Sequence, residues 1–115
     1  MNRGEVWLLN LDPTAGAEIQ NTRPVVIVSS DSIGVLPLRV IVPLTDWKDR
    51  FRDAVWMVRV EPGPLNGLSK PSAVDAIQVR SVSTSRFIRR LGRIAQSELD
   101  AVIAALGLVV EFPVG

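Results

Sequence analysis

Apolar positions along the chain fall into short runs separated by polar turns, a pattern typical of a small antiparallel β protein. The turns are rich in Gly, Pro, Asn, Asp and Ser, which are the residues that turn geometry favours. Residues 83–87 can form one helical turn. The predicted strands are residues 5–11, 25–28, 38–45, 54–61 and 90–94, together with a long extended segment at 72–82.

The pattern predicts only one substantial helix, which follows residue 96. Ser97 can cap its first turn, with Asp100 in the capping-box position three residues later. Apolar residues then recur at spacings of three and four, which places an apolar stripe on one helix face. Gly107 weakens the pattern, so we expect the helix to end between Gly107 and Glu111. The stripe consists of Leu99, Val102, Ile103, Leu106 and Val110.

Short strands, tight turns and one helix predict a mainly β fold with one C-terminal α-helix. The architecture we expect is a small, partly open β-barrel with the helix packed across it. Neither an internal repeat nor an interdomain linker interrupts the sequence, so residues 1–115 are predicted to form a single domain.

The amino-acid composition excludes several kinds of catalytic and binding site. The 115 residues are 47% apolar and contain no Cys and no His. This excludes disulfides, thiol nucleophiles and imidazole acid–base catalysis, and it argues against a zinc site. Residues 1–30 lack a signal-peptide pattern, and apolar runs are too short to span a membrane. We therefore expect a cytoplasmic protein without a membrane role.

The charge distribution is more informative than the net charge of +1. Residues 80–93 contain five arginines and no acid. This segment is compatible with a surface that binds phosphates or an acidic partner. It is equally compatible with an exposed loop, or with a face that pairs with acids elsewhere in the chain.

The clearest candidate for chemistry is Arg23, which joins a polar loop to a strand. Pro24 favours an extended conformation for Arg23 and lacks an amide hydrogen, as suits a strand entrance or edge. The preceding loop, residues 12–22, is long and contains Glu18. A guanidinium at such a position can bind a phosphate. The alternative is that Arg23 forms an ordinary surface ion pair with a neighbouring carboxylate.

A second polar loop covers residues 46–53, where three aspartates alternate with Lys and Arg around Trp47 and Phe51. These charges largely cancel, which favours a solvated loop. Three aspartates without other oxygen ligands at defined spacing do not predict a metal site. Trp47 is the tryptophan we expect to contact a partner.

Short motifs in the chain resemble, in order, those of the MazF/PemK family of toxin endoribonucleases. The resemblance covers nearly the whole chain, and the ordered set is much more specific than any single motif. The motifs are Arg3-Gly4-Glu5-Val6-Trp7, Asp12-Pro13-Thr14 with Gly16 and Glu18, Thr22-Arg23-Pro24-Val25-Val26, Val42-Pro43-Leu44-Thr45, Ser69-Lys70-Pro71-Ser72, Gln78-Val79-Arg80-Ser81, and Arg86 ahead of Leu91-Gly92.

The resemblance implies an SH3-like barrel of the CcdB/PemK kind that forms a homodimer. It implies a toxin of a toxin–antitoxin module that cuts single-stranded RNA, including mRNA, within short sequence motifs and so inhibits translation and growth. It also implies an acidic, initially disordered antitoxin that wraps the toxin and blocks the RNA groove. The implied catalytic pair is Arg23 and Thr45, with Glu18 as the loop glutamate. The PemK-like branch is associated with a loop histidine that this chain lacks, so that branch's mechanisms are not transferred.

RNA can be cleaved without a metal or cofactor when its own 2′-hydroxyl attacks the adjacent phosphate, which leaves a 2′,3′-cyclic phosphate and a 5′-hydroxyl. Arginine stays protonated at neutral pH, so Arg23 is suited to stabilise the phosphorane rather than to act as the base. Thr45 can hydrogen-bond a non-bridging oxygen. Glu18 is the candidate base. Its alternative role is a carboxylate that orders the loop by pairing with an arginine.

Reading of the RNA sequence requires contacts to splayed bases. We expect Gln78 and Arg80, on the exposed side of a strand, to make them. Thr22 and Trp47 are the other predicted RNA contacts, Trp47 by stacking. The alternative for Gln78 is that it satisfies backbone groups within the barrel.

Two other functions remain compatible with the sequence. One is a gyrase-poisoning toxin of the same fold, a related family that depends on an aromatic residue near its C-terminus. The end of this chain, Phe112-Pro113-Val114-Gly115, resembles that feature only loosely. The other is a non-catalytic SH3-like interaction module in which Arg23 forms a structural ion pair.

Overall fold

Seven antiparallel strands and one C-terminal helix make up the computed structural model, which describes residues 1–113. Six strands follow the order β4-β5-β3-β2-β1-β7, and β6 pairs with β3. Within residues 1–113 no pairing joins β4 to β7, so the sheet curls without closing. The mainly β, barrel-like prediction is confirmed. The elements are β1 Glu5–Asn10, β2 Thr22–Ile27, β3 Leu38–Asp46, β4 Met57–Val60, β5 Ser72–Asp75, β6 Arg80–Ser83, β7 Phe87–Arg93 and α1 Gln96–Val109.

The long strand β3 organises the sheet because it pairs with three others in succession. Its first half pairs with β6, its middle with β2, and its end with β5. The extended segment predicted at residues 72–82 does follow β3, but a 3-10 turn at Ala76–Gln78 interrupts it. Leu44 pairs with Val74, whereas Ile41 pairs with Arg80. The turn therefore absorbs three extra residues.

Alternation along the strands divides the apolar side chains between two faces of the sheet. In β2, Val26 packs into the cluster that includes α1, and Val25 and Ile27 pack into a cluster on the other face. The first cluster contains Val6, Val26, Val28, Val42, Leu44, Val60, Val74, Ile94, Leu99 and Val102. The second contains Leu9, Leu11, Val25, Ile27, Ile41 and Val82, with Trp7, Ile19 and Phe87 against it.

The N-cap residue of the helix lies two residues earlier than the predicted cap at Ser97. Ala95 is the N-cap residue, and the Glu98 Oε1 atom accepts the Ala95 N–H at 2.8 Å. This is half of a capping box, formed by the glutamate rather than by Asp100. The predicted stripe is partly wrong, because Ile103 is 36% and Val110 66% exposed. The buried positions are Leu99, Val102 and Ala105, which follow three-residue spacing over two turns.

Three strand boundaries also differ from prediction. Strand β2 begins at Thr22, so the Arg-Pro step lies inside the strand rather than at its entrance. Strand β4 covers only residues 57–60, and β7 starts earlier, at Phe87. The predicted helical turn at residues 83–87 corresponds to a 3-10 turn at Thr84–Arg86.

The loop between β4 and β5 lies directly against β7. Asn66 is buried, and its side chain accepts the Gly63 and Leu68 N–H groups and donates to the Glu61 carbonyl. A Cβ atom added to Gly92 would lie 2.1 Å from the Leu65 carbonyl oxygen. The two backbones therefore approach more closely than any side chain at residue 92 would allow. This contact fixes the loop that precedes Lys70.

We predict that Gly92→Ala destabilises the fold. The added methyl group overpacks the crossing, which typically costs about 1–3 kcal/mol, and urea unfolding measures the loss. Gly63→Ala is the matched control, because a Cβ there meets no atom within 4 Å. Equal stability of the two variants would contradict the importance of this crossing.

Candidate active site

The candidate site forms where β2 and β3 separate. The last pair in their ladder is Val25 opposite Pro43. Pro24 and Pro43 both lack an amide hydrogen, so neither can donate a further ladder bond. Beyond this point β3 pairs with β5 instead, with Thr45 opposite Ala73. If the β2–β3 register is continued, Arg23 lies opposite Thr45, and alternation puts both residues on one sheet face.

Arg23 and Thr45 line one cleft of about 410 Å³. Apolar walls come from Leu8, Pro24, Leu44, Leu68 and Leu91, and the cationic side chains in the lining are Arg23, Lys70 and Arg89. Asp46 is the carboxylate in the lining. The excess of positive charge and the apolar walls make the cleft suitable for a phosphodiester flanked by a base.

Arg23 keeps most of its donors available. Its Nε donates to the Gln20 carbonyl at 3.3 Å, which orients the guanidinium. Among residues 1–113, no carboxylate lies within 4.0 Å of it as a salt-bridge partner. The predicted alternative of a structural ion pair is therefore not seen, and both terminal nitrogens can face a phosphate.

The loop between β1 and β2 is anchored by side chains from residues 78–86, which are distant in sequence. Gln78 accepts the Ile19 N–H at 2.5 Å and donates to the Ala17 carbonyl at 3.1 Å. Arg80 donates to the Leu11 carbonyl at 3.1 Å, and Arg86 donates to the carbonyls of residues 10 and 12. These contacts fit the alternative in which Gln78 satisfies backbone groups. Gln78 also lies in a 3-10 turn, not on a strand as predicted.

Glu18 lies in a different cleft from Arg23. This second cleft, of about 510 Å³, is lined by Glu18, Gln78 and Arg80 among others, and none of its lining residues lines the first. The Glu18 Oε1 atom accepts the Ala15 N–H at 2.8 Å. The carboxylate thus orders its own loop, although without the arginine partner that the alternative assumed.

Of the other two predicted RNA contacts, Thr22 and Trp47, one lies in the first cleft and one lies outside it. Thr22 lines the first cleft with Arg23. Trp47 lies outside that lining. Its ring makes an edge contact with Phe51 at 5.9 Å, and the Arg59 guanidinium lies 5.0 Å from the ring centre. The Arg59 guanidinium already covers one face of the Trp47 ring, so an RNA base would have to displace Arg59 to stack on that face.

A buried carboxylate, Asp75, is hydrogen-bonded to two residues that line the second cleft. Burial raises the pKa of Asp75, and hydrogen bonds from the Ile77 N–H and the Gln78 side chain oppose that rise. Within residues 1–113 no group of three or more Asp or Glu is gathered as a metal site would require. The three aspartates of the 46–53 loop therefore do not form such a group.

The comparisons with known proteins identify the family. Residues 2–110 match a model described as PemK-like, MazF-like toxin of type II toxin-antitoxin system. The chain is 32% identical over 114 residues to Endoribonuclease MazF9 of Mycobacterium tuberculosis, with 94% of each sequence covered. It superposes on the crystal structure of MazF (Form-I) from Deinococcus radiodurans with a TM-score of 0.80 at 27% identity, covering 97% of each chain. A MazE-MazF structure (Form-III) from the same organism gives 0.75 at 26% identity, covering 98% of each.

This chain therefore belongs to the PemK-like, MazF-like toxins of type II toxin–antitoxin systems. The predicted family and the prediction of an endoribonuclease are confirmed by these relatives. No helix in the described part of the chain is long and apolar enough to cross a membrane. Of the C-terminal segment weighed for the gyrase alternative, Val114 and Gly115 lie outside the described residues.

We predict that Gln78→Ala loosens the β1–β2 loop. The change removes two hydrogen bonds, each worth about 0.5–1.5 kcal/mol, so amide exchange at Ile19 should become roughly tenfold faster. Hydrogen exchange followed by NMR measures this effect. Gln96→Ala is the control, because within the described residues the Gln96 side chain bonds only to Asp100, on the helix surface. Unchanged exchange at Ile19 in Gln78→Ala would show that Gln78 does not anchor the loop.

Proposed function

We propose that this toxin cuts single-stranded RNA, mRNA included, within short sequence motifs and without a metal. The RNA 2′-hydroxyl attacks the adjacent phosphorus and leaves a 2′,3′-cyclic phosphate and a 5′-hydroxyl, which inhibits translation and growth. The observation that carries the proposal is that Arg23 and Thr45 line one cleft at the point where β2 and β3 separate.

In this proposal Arg23 binds the scissile phosphate through its terminal nitrogens. The guanidinium cannot act as a base, because it stays protonated. Its two parallel N–H donors match two phosphate oxygens, and their attraction grows as negative charge develops on the phosphorane. The Nε bond to the Gln20 carbonyl reduces the entropy lost when the side chain grips the phosphate.

Thr45 holds a non-bridging oxygen in the same cleft. Its pairing with Ala73 fixes the backbone, and β-branching restricts its side-chain rotamers. The hydroxyl is therefore presented without much loss of freedom. Lys70 and Arg89 add positive charge in the lining, which favours a strand of RNA over a neutral ligand.

Recognition of the RNA sequence involves Thr22 in the cleft and the loop before it. The contacts of Gln78 and Arg80 with that loop support a role in setting its shape. Trp47 contributes if an RNA base replaces Arg59 on its ring. Glu18 remains the base predicted from sequence, although its place in the second cleft favours a role in ordering the loop.

We also propose a homodimer and an acidic antitoxin as partners. The MazE-MazF structure (Form-III) from Deinococcus radiodurans resembles this chain over 98% of its length. The excess of cations in the first cleft attracts an acidic peptide for the same reason that it attracts RNA. An antitoxin segment bound there would exclude the substrate. Because mRNA is the proposed substrate, the site of action is the cytoplasm.

The test is cleavage of a long RNA in EDTA, followed by mapping of the cut ends. We predict discrete cuts with cyclic phosphate ends, and no cut where a single 2′-deoxyribose replaces the ribose at the scissile position. Loss of one preorganised donor costs about 100- to 1,000-fold in rate, so Arg23→Ala should cut that much more slowly with unchanged melting.

Arg52→Ala is the matched control, because Arg52 is exposed and lies outside the cleft. Cleavage at the deoxy position would reject attack by the 2′-hydroxyl. Full activity of Arg23→Ala would remove Arg23 from the site. Intact RNA together with trapped gyrase–DNA complexes would favour the gyrase-poisoning alternative.

A further inference from the structure

The first cleft contains a carboxylate and an ammonium group in direct contact. The Asp46 Oδ2 and Lys70 Nζ atoms are 3.0 Å apart. Both residues line the cleft that Arg23 and Thr45 line. Their side chains are 51% and 62% exposed, so solvent and a bound RNA strand can reach both groups.

Cleavage through the 2′-hydroxyl needs a proton acceptor for that hydroxyl and a proton donor for the departing 5′-oxygen. The chain has no histidine, and an arginine does not deprotonate. Glu18 faces the second cleft and already accepts the Ala15 N–H. In the described lining of the first cleft, Asp46 is the carboxylate that remains, and Lys70 is the amine.

We propose that Asp46 and Lys70 are the proton-transfer pair of this toxin. The assignment rests on the proposed attack by the 2′-hydroxyl. The O2′–P bond forms as the 2′-hydroxyl proton moves to the Asp46 carboxylate. The P–O5′ bond breaks as Lys70 gives a proton to the 5′-oxygen. The products are a cyclic phosphate, a 5′-hydroxyl, a neutral carboxylic acid and a neutral amine.

The contact between the two side chains also allows their starting protonation states to be regenerated after each cleavage. Once the products leave, the acid of Asp46 and the amine of Lys70 can return to a separation of 3.0 Å. The proton then moves from the acid to the more basic amine and regenerates the ion pair. No external acid or base is needed to complete the cycle.

The backbone on both sides of the pair is fixed while the side chains remain adaptable. Asp46 is the last residue of β3, paired with Ser72 of β5. The Ser72 hydroxyl donates to the Lys70 carbonyl at 3.1 Å, and the Trp47 N–H donates to the Pro71 carbonyl at 3.0 Å. An exposed ion pair contributes little to stability, so a phosphate can readily separate the two charges.

The decisive experiment varies the leaving group in single-turnover cleavage. One RNA has the natural 5′-oxygen at the scissile position, and a matched RNA has a bridging 5′-sulfur, which departs as a thiolate without a proton. Removal of a general acid or base costs about 100- to 10,000-fold. We expect Lys70→Ala to show that loss with the oxygen substrate and to recover to within a few-fold of wild type with the sulfur substrate. Asp46→Asn should be slow with both.

Lys48→Ala and Asp49→Asn are the matched controls, because both residues lie in the adjacent loop and neither lines the cleft. They should cut both substrates at wild-type rates. Circular dichroism and melting establish that each variant is folded, as expected for changes at exposed side chains.

Two results would overturn the assignment. Equal slowing of Lys70→Ala on both substrates would make Lys70 a phosphate contact instead of the acid. Wild-type rates for Asp46→Asn or Lys70→Ala would remove that residue from the chemistry. Failure of the proposed function is separate, since the wild-type toxin would then cut the 2′-deoxy substrate or leave the natural RNA intact.

Discussion

The structure depends on the point at which the β2–β3 ladder stops. Pro24 and Pro43 stand at the end of that ladder, and neither residue can donate a backbone hydrogen bond. Strand β3 continues past the break because β5 takes over as its partner. The cleft lies between the separated strands, and it is lined by Arg23 from β2 and by Thr45 from β3. The interruption of the sheet is therefore what creates the site.

Three other arginines use their donors differently from Arg23. Arg39 donates to carbonyls of residues 1, 34, 36 and 38, and Arg80 and Arg86 donate to carbonyls at the base of the β1–β2 loop. These side chains replace missing backbone partners in irregular segments. Arg23 makes a single such bond. Its remaining donors face a cleft, which is the arrangement expected of a group that binds a ligand.

Much of the fold follows from local pattern. Alternating apolar runs predict most of the strands, and the helix is recognisable from its spacing. The errors lie where tertiary contacts override local signals. Ser97 is a residue type that favours N-caps, yet the helix is capped at Ala95, whose N–H is accepted by the Glu98 side chain. The 3-10 turn at residues 76–78 could not be predicted, because residues 72–82 have the composition of one extended strand. The turn follows instead from the different registers in which β5 and β6 pair with β3.

Some features of the candidate site could likewise be predicted from local sequence, and others depend on tertiary contacts. Arg23 and Thr45 are predictable because each belongs to a recognisable short motif, Arg23 to Thr-Arg-Pro and Thr45 to Pro-Leu-Thr. The Asp46–Lys70 contact is not, because a loop brings the two residues together. That loop is held by the Asn66 side chain and by the close crossing at Gly92. Because Glu18 is close to Arg23 in sequence, the two residues are expected to share one site. The loop instead turns Glu18 into the second cleft, where it bonds to Ala15.

In the proposed mechanism, one phosphate is held between Arg23 and Thr45. A crystal structure of the toxin with a short RNA, made uncleavable by 2′-deoxyribose at the scissile position, tests it most directly. We expect the phosphate 3′ of that sugar to lie within hydrogen-bond distance, about 2.7–3.2 Å, of both the Arg23 guanidinium and the Thr45 hydroxyl. RNA seated in the second cleft, with the first cleft empty, would contradict the account.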